Sequence, residues 1–276
     1  MLSALKLLRF VLATLAWHGG FVLGRPFTRD AARLRHRIVR GWSRSMARIA
    51  GMRAQVSGPR PAPPFLLVTN HLSYFDIALI AAQIDCVFIA KSQVASWPLM
   101  GKICADMGTI FLKREDIGDI PRVSALIEAA LARGEGVVLF PEGTSSPGAE
   151  VLPFNPPLLA AAARLGAPVH YAALSYATPA GERPAHLSVC WWGEMEFISH
   201  LRALFRLSGF QAILRFGPEP ITDGNRKLLA RQLHAGVSAL FTPVVGLETL
   251  ARDRAQLEQQ WTQHVKTSTS QRTSMS

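Results

Sequence analysis

Cysteine is scarce in this chain and badly placed for cross-linking. There are three, Cys86, Cys104 and Cys190, odd in number, far apart and without a C-x-x-C pair. That excludes a disulfide framework and points to a reducing compartment. The eight histidines show no ligand spacing with cysteine or with one another, so no metal site is read. Acidic residues are also few, 19 against 30 lysines and arginines, which leaves a formal charge of +11. Such an excess implies an anionic partner: nucleic acid, an acidic membrane face or a phosphate-bearing substrate. No G-x-S-x-G elbow occurs, so Ser145 and Ser146 are poor hydrolase nucleophiles. There is no internal repeat.

An apolar run of full membrane-spanning length is lacking too. Phe10 to Leu23 (FVLATLAWHGGFVL) is almost wholly apolar, short of the roughly 20 residues that a spanning helix needs. A signal peptide competes with the anchor reading, but no small-residue cleavage site follows the run. Arginines follow it instead. On a helical wheel Leu34, Ile38, Trp42, Met46 and Ile49 share one face, and Arg33, Arg37, Arg40, Arg44 and Arg48 lie nearly opposite. This pattern fits a helix in the membrane interface with its basic face toward lipid headgroups; an ordinary surface helix packed on the core has the same pattern. If the first segment spans, its heavier positive flank keeps the rest on the cytoplasmic side. The expected location is therefore the cytoplasmic face of the inner membrane. The basic residues sit beside an apolar segment rather than on a nucleic-acid reading motif, so the expected partners are membrane lipids and not nucleic acid.

Gly58 to Pro64 (GPRPAPP) marks a boundary. Three parts are expected: residues 1–57 as anchor and basic amphipathic helix, 58–250 as the main domain, and 251–276 as a polar, disordered tail. In the main domain apolar runs alternate with helical stretches. Strands are expected at Phe65–Thr69, Val87–Ala90, Thr109–Leu112, Gly136–Phe140, Val169–Leu174, Leu187–Trp192 and Ala212–Phe216. Helices are expected near Tyr74–Gln83, Asp119–Arg133, Pro157–Leu165, Ile198–Leu207 and Asn225–Leu240. The fold class this implies is α/β, a largely parallel sheet flanked by helices, with the N-terminal membrane-associated helical segment added.

Three polar motifs each follow an apolar run. Asn70-His71-x4-Asp76 follows FLLVT. Histidine titrates near neutrality and accepts a hydroxyl proton well if a carboxylate orients it. Five residues apart on a regular helix, the two side chains would lie about 140° out of line. They meet only if His71 sits in the turn before a helix that Ser73 caps. The same spacing, Ser73-x-x-Asp76, also describes a helix cap alone. The second motif, Gly108 to Arg114, ends in Lys113 and Arg114, which suit a phosphate or carboxylate; a solvated loop with Glu115 and Asp116 is the plain alternative. The third, Phe140-Pro141-Glu142-Gly143-Thr144-Ser145-Ser146, offers a tight glycine turn and a carboxylate able to orient a polyol or a cation, or only an acidic turn residue. Ligands of parallel sheets bind at the carboxyl ends of strands, so one crevice is expected to collect all three.

These blocks, in this order, resemble the glycerolipid acyltransferase family, whose best-known members convert 1-acylglycerol-3-phosphate to phosphatidic acid in phospholipid biosynthesis. N-H-x4-D matches Asn70, His71 and Asp76; the second block resembles Gly108 to Arg114, and F-P-E-G-T-R-S resembles Phe140 to Ser146. Ala167-Pro168-Val169 resembles a weaker fourth block, and the likeness runs over roughly residues 65–220. The resemblance implies that His71 is the general base and Asp76 its orienting partner. The acceptor hydroxyl would attack the thioester of acyl-CoA or acyl carrier protein directly, with no metal or redox cofactor. Amides near Gly143, and Lys91, would face the oxyanion. Arg114 and Lys113 would hold the acceptor's headgroup, and Glu142, beside Thr144, its glycerol part. The acceptor that the resemblance implies first is 1-acylglycerol-3-phosphate, giving phosphatidic acid. One departure stands out: Ser145 occupies the place of the family's arginine, which puts the phosphate acceptor in question and makes another lysolipid such as lyso-ornithine lipid the alternative. A non-catalytic lipid-binding protein is the rival of a different class, and the presence of His71, Asp76 and Glu142 together argues against it.

Overall fold

Apolar runs bounded by turn residues become the strands of a seven-stranded sheet in this computed structural model, which describes residues 2–113, 116–253 and 255. The sheet is built from β1 (Met52–Ser57), β2 (Phe65–Thr69), β3 (Cys86–Lys91), β4 (Ile110–Leu112), β5 (Gly136–Leu139), β6 (Val169–Ala177) and β7 (Phe210–Phe216), in the order β1-β7-β6-β2-β5-β3-β4. Every residue of β2 and β5 is buried, as expected of central strands covered on both faces. The five strands from β6 to β4 are parallel. β7 returns antiparallel to β6, and β1 adds parallel to β7 at the edge.

Side-chain alternation along the strands feeds two cores. Phe65 and Leu67 enter one, with α2 (Ala31–Ala50), α3 (Phe75–Ala81) and α8 (Phe197–Leu204). Leu66 and Val68 enter the other, with α5 (Ile120–Ala132), α6 (Ala160–Leu165) and α9 (Arg226–Leu240). Helices thus cover both faces, and the α/β expectation with a largely parallel sheet stands. Residues 247–253 are helical as well. They fall at the end of the main region and the start of the stretch expected as a disordered tail, most of which lies outside the described residues.

One local expectation needs correction, and two elements were not foreseen. Residues 187–192 are not a strand: Pro184 opens the short helix α7 (Ala185–Ser188), and the run after it makes no ladder. Val189 and Cys190 are fully buried, so this apolar run fills the core as irregular chain. β1 had no sequence signal, since all but Met52 and Val56 of its residues are exposed. α4 (Met100–Asp106) was also unanticipated.

The N-terminal segment differs from expectation in length and in packing. Apolar residues before Phe10 extend it into α1 (Leu2–Gly24), 23 residues long. The stretch Ser3–Phe27 has a mean hydropathy of 1.4 and is, among the described residues, the one helix long and apolar enough to cross a membrane. α1 runs antiparallel along α2. Trp17 Nε1 donates to Ser45 Oγ at 3.1 Å and Trp42 Nε1 to Thr14 Oγ1 at 3.0 Å. The ring of Trp17 lies against Gly41, where a Cβ would stand 2.2 Å from it. Lys6 Nζ donates to the Leu207 carbonyl at 2.8 Å, and His18 meets Asp106 of α4 at 2.9 Å. The apolar face of α2 therefore meets protein, not a bilayer: Met46 and Ala50 are core residues and Trp42 packs on them. The exposed apolar stripe belongs to α1, where Leu8, Leu12 and Leu23 are each more than half exposed.

Candidate active site

β2 delivers His71 and β5 delivers Glu142 at adjacent strand ends, because β2 and β5 are parallel neighbours. Past Thr69 the chain turns, and α3 begins only at Phe75. His71 therefore sits in the turn and Asp76 in the first turn of the helix, the one arrangement in which they can meet. His71 Nδ1 lies 2.7 Å from Asp76 Oδ2. The same oxygen accepts the backbone N–H of Leu72 at 2.7 Å and of Ser73 at 3.0 Å. The capping role and the histidine-orienting role fall on one carboxylate. Asp76 is fully buried, whereas the His71 side chain keeps 17% of its surface accessible. An ionised carboxylate only accepts, so Nδ1 carries the proton and Nε2 presents a lone pair. Phe140 stacks on the imidazole at 4.1 Å between centroids and closes one face of the ring.

The other Asp76 oxygen, Oδ1, accepts the phenol of Tyr176 at 2.5 Å. Burial, then the neighbouring Asp76, raise the Tyr176 pKa well above the ordinary tyrosine range, so the phenol stays a donor. Sequence reasoning missed this residue. It follows Asp76 by 100 positions and lies in no motif; the only hint is that it is one of just three tyrosines and ends an apolar run.

Asn70, fully buried, clamps the end of β2 to β6: its Nδ2 donates to the Leu174 carbonyl at 3.0 Å and its Oδ1 accepts the Leu174 N–H at 2.7 Å.

Glu142 does not face an open crevice. Its Oε2 accepts the His71 N–H at 3.1 Å and its Oε1 the Leu152 N–H at 3.0 Å, and only 6% of its surface is accessible. Burial pushes its pKa up to about 8 against the lowering pull of the two amides. Through these two bonds Glu142 forms a strut between the two motif loops. Ser146 reinforces the strut, its N–H donating to the His71 carbonyl at 2.9 Å. Gly143 adopts φ +76°, where a side chain would be strained. Its N–H closes a turn onto the Phe140 carbonyl at 3.1 Å, so it is not aimed at an oxyanion. Thr144 is exposed at the rim.

Ser145, at the departure from the family pattern, donates its hydroxyl to the Trp191 carbonyl. Trp191 in turn donates its N–H to the Leu72 carbonyl at 2.8 Å. The irregular run after α7 thus buttresses the histidine turn. Beside it Tyr74 packs against Trp191 and Phe197 and shares a hydrogen bond with His200 Nδ1 at 2.9 Å.

The cationic side of the edge is more distant. Lys91 ends β3, next to β5, and is half-buried. Lys113 follows β4, one strand further out, with an exposed side chain and its N–H on Asp119 at 2.8 Å. Arg114 lies outside the described residues. Among the described residues no group of three His, Cys, Asp or Glu is placed to hold a metal ion.

The arrangement places a partly accessible imidazole on a strand end, oriented by a buried carboxylate, which is a geometry suited to accepting a proton. Comparison with known proteins points the same way. Residues 53–175 match the family model described as Acyltransferase. The lyso-ornithine lipid O-acyltransferase of Pseudomonas aeruginosa is 32% identical over 225 residues, covering 80% of this chain and 84% of that protein. The 1-acyl-sn-glycerol-3-phosphate acyltransferase of Neisseria meningitidis is 34% identical over 167 residues, 57% of this chain and 66% of that one. The crystal structure of the 1-acyl-sn-glycerophosphate acyltransferase of Thermotoga maritima shares the fold, with a TM-score of 0.58 at 22% identity over 86% of this chain and 97% of that one. Ordered motifs, strand-end geometry and long relatives lead to one conclusion: the chain belongs to the acyltransferase family.

Proposed function

We propose that this enzyme transfers a fatty acyl group from a thioester, acyl-CoA or acyl carrier protein, to the free hydroxyl of a lysolipid at a membrane surface. The observation that carries the reading is His71, tied through Nδ1 to buried Asp76 while its side chain keeps 17% of its surface accessible. The acceptor O–H gives its proton to Nε2 as its oxygen bonds to the thioester carbonyl carbon. The C–S bond then breaks, and the imidazolium returns the proton to the departing thiolate. No acyl-enzyme, metal or redox cofactor takes part. The oxyanion needs donors. The Thr144 and Ser145 amides, which have no acceptor among the described residues, are better placed for this than Gly143.

For the acceptor we favour lyso-ornithine lipid. Ser145, where the family's arginine would grip a phosphate, is committed to the Trp191 carbonyl. The relative with that activity in its name also aligns over more of the chain. 1-Acylglycerol-3-phosphate is the second reading, favoured by Lys113 and Arg114 beyond β4. Competition between the two acceptors for one labelled acyl donor separates them. A kcat/KM at least tenfold higher for lyso-ornithine lipid is expected; the reverse ratio assigns the phosphate acceptor.

α1 supplies membrane attachment. Its outer stripe of leucines is exposed while its inner face is bound to α2, α4 and α8. We place the catalytic edge on the cytoplasmic face of the inner membrane, with the basic arginines of α2 against anionic lipid.

A further inference from the structure

Away from the catalytic edge, α2, the end of α3 and the edge strand β1 line a solvent-open concavity of about 420 Å³. Its wall carries Arg40, Arg44, Arg48 and Arg60, with Gln83 at one side and Met52 at another. No lining residue belongs to the three motifs, and none is acidic. Asp85 pairs with Arg40 at 2.7 Å and offsets a single charge.

The arrangement concentrates positive charge around one concavity, with Arg44, Arg48 and Arg60 exposed at its mouth. Arg40, Arg44 and Arg48 recur every four residues on α2, so they stack on one helix face, and like charges at that spacing repel. Interleaved acids would relieve the repulsion, yet α2 contains no Asp or Glu. Every cation in α2 other than His36 is arginine rather than lysine. Guanidinium forks grip phosphate oxygens two at a time, which an ammonium cannot do. The Nε of Arg40 is buried without a hydrogen-bond acceptor among the described residues, and a buried orphan donor implies a missing partner. The volume lies within the range that holds a small ligand.

We propose that this cavity is a phosphate-binding site, separate from the catalytic centre, for a ligand bearing a phosphomonoester or phosphodiester. The headgroup of an anionic phospholipid and a free phosphate compound share that chemistry. The site stands independently of the acyl-transfer reading, because binding needs no turnover.

The test is calorimetric titration of the full chain in neutral detergent at fixed salt, with two probes: inorganic phosphate and dihexanoyl phosphatidylglycerol. Saturable binding of at least one probe is expected, weakened tenfold or more in Arg44→Gln/Arg48→Gln. His71→Ala should bind as wild type does, since the site lies apart from the histidine turn. Binding of inorganic phosphate assigns a free anion; binding of the short-chain lipid alone assigns a headgroup. Should the double variant fold poorly, Arg60→Gln on the facing wall gives the same reading, with the same loss expected. Failure of both probes to bind, or equal affinity in wild type and variants, overturns the site.

Discussion

Asp76 gathers four donors: His71, Leu72 and Ser73 on one oxygen and Tyr176 on the other. The first three were within reach of sequence reasoning, because a cap and an orienting acid both need a carboxylate three residues past Ser73. Tyr176 was not, since strand pairing across β6 and β2 alone brings it there. A hydrogen bond to a charged group contributes about 1.5–3 kcal/mol. Tyr176→Phe should therefore lower kcat by about tenfold to a hundredfold and shift the pH profile of kcat while leaving the donor KM unchanged. A profile identical to wild type would remove Tyr176 from the positioning of Asp76. Glu142 shows the opposite limit of legibility: its motif was visible but its amide partners were not, because a carboxylate at a strand end looks the same facing a ligand or two amides. Glu142→Ala orphans the amides of His71 and Leu152, at about 1–3 kcal/mol each. It should lower the melting temperature and kcat together. A raised acceptor KM at unchanged stability would support the ligand role instead.

Elements were legible where period and length agreed. β2, buried at every position, matches its apolar run from end to end, and α5 and α9 follow theirs within a residue or so. The run at 187–192 misled because a short apolar stretch has no period that separates strand from buried loop. α2 misled in another way: its wheel predicts an apolar face without saying what covers it, and α1 does. α8 shows how one side chain fixes an element. His200 receives the Tyr74 hydroxyl on Nδ1 and reaches the Cys190 carbonyl from Nε2 at 2.9 Å. Burial foremost lowers its pKa from 6.5 to about 4. Between those values the unfolded chain binds a proton that the fold excludes. The contribution is thus full above pH 6.5 and is lost as pH falls toward 4. It amounts to on the order of 3 kcal/mol. Thermal melts at pH 7 and 4.5 should show a large acid loss that shrinks in His200→Phe. An equal loss in the variant would assign the acid sensitivity elsewhere.

Across the whole molecule, chemistry collects at one edge because five parallel strands end there. Each motif was readable as a polar block after an apolar run, and their convergence followed from the parallel sheet. Their unequal distances did not, since strand order β2-β5-β3-β4 sets Lys113 three strands from His71 and no local signal carries that order. The most direct measurement is acyl transfer from labelled palmitoyl-CoA to lysolipids by the purified full chain, beside His71→Ala of matched melting temperature. The account predicts that transfer falls by about a hundredfold to ten-thousandfold, with membrane binding and fold retained. Transfer by His71→Ala at the wild-type rate would contradict it and take the base away from the strand end on which the account rests.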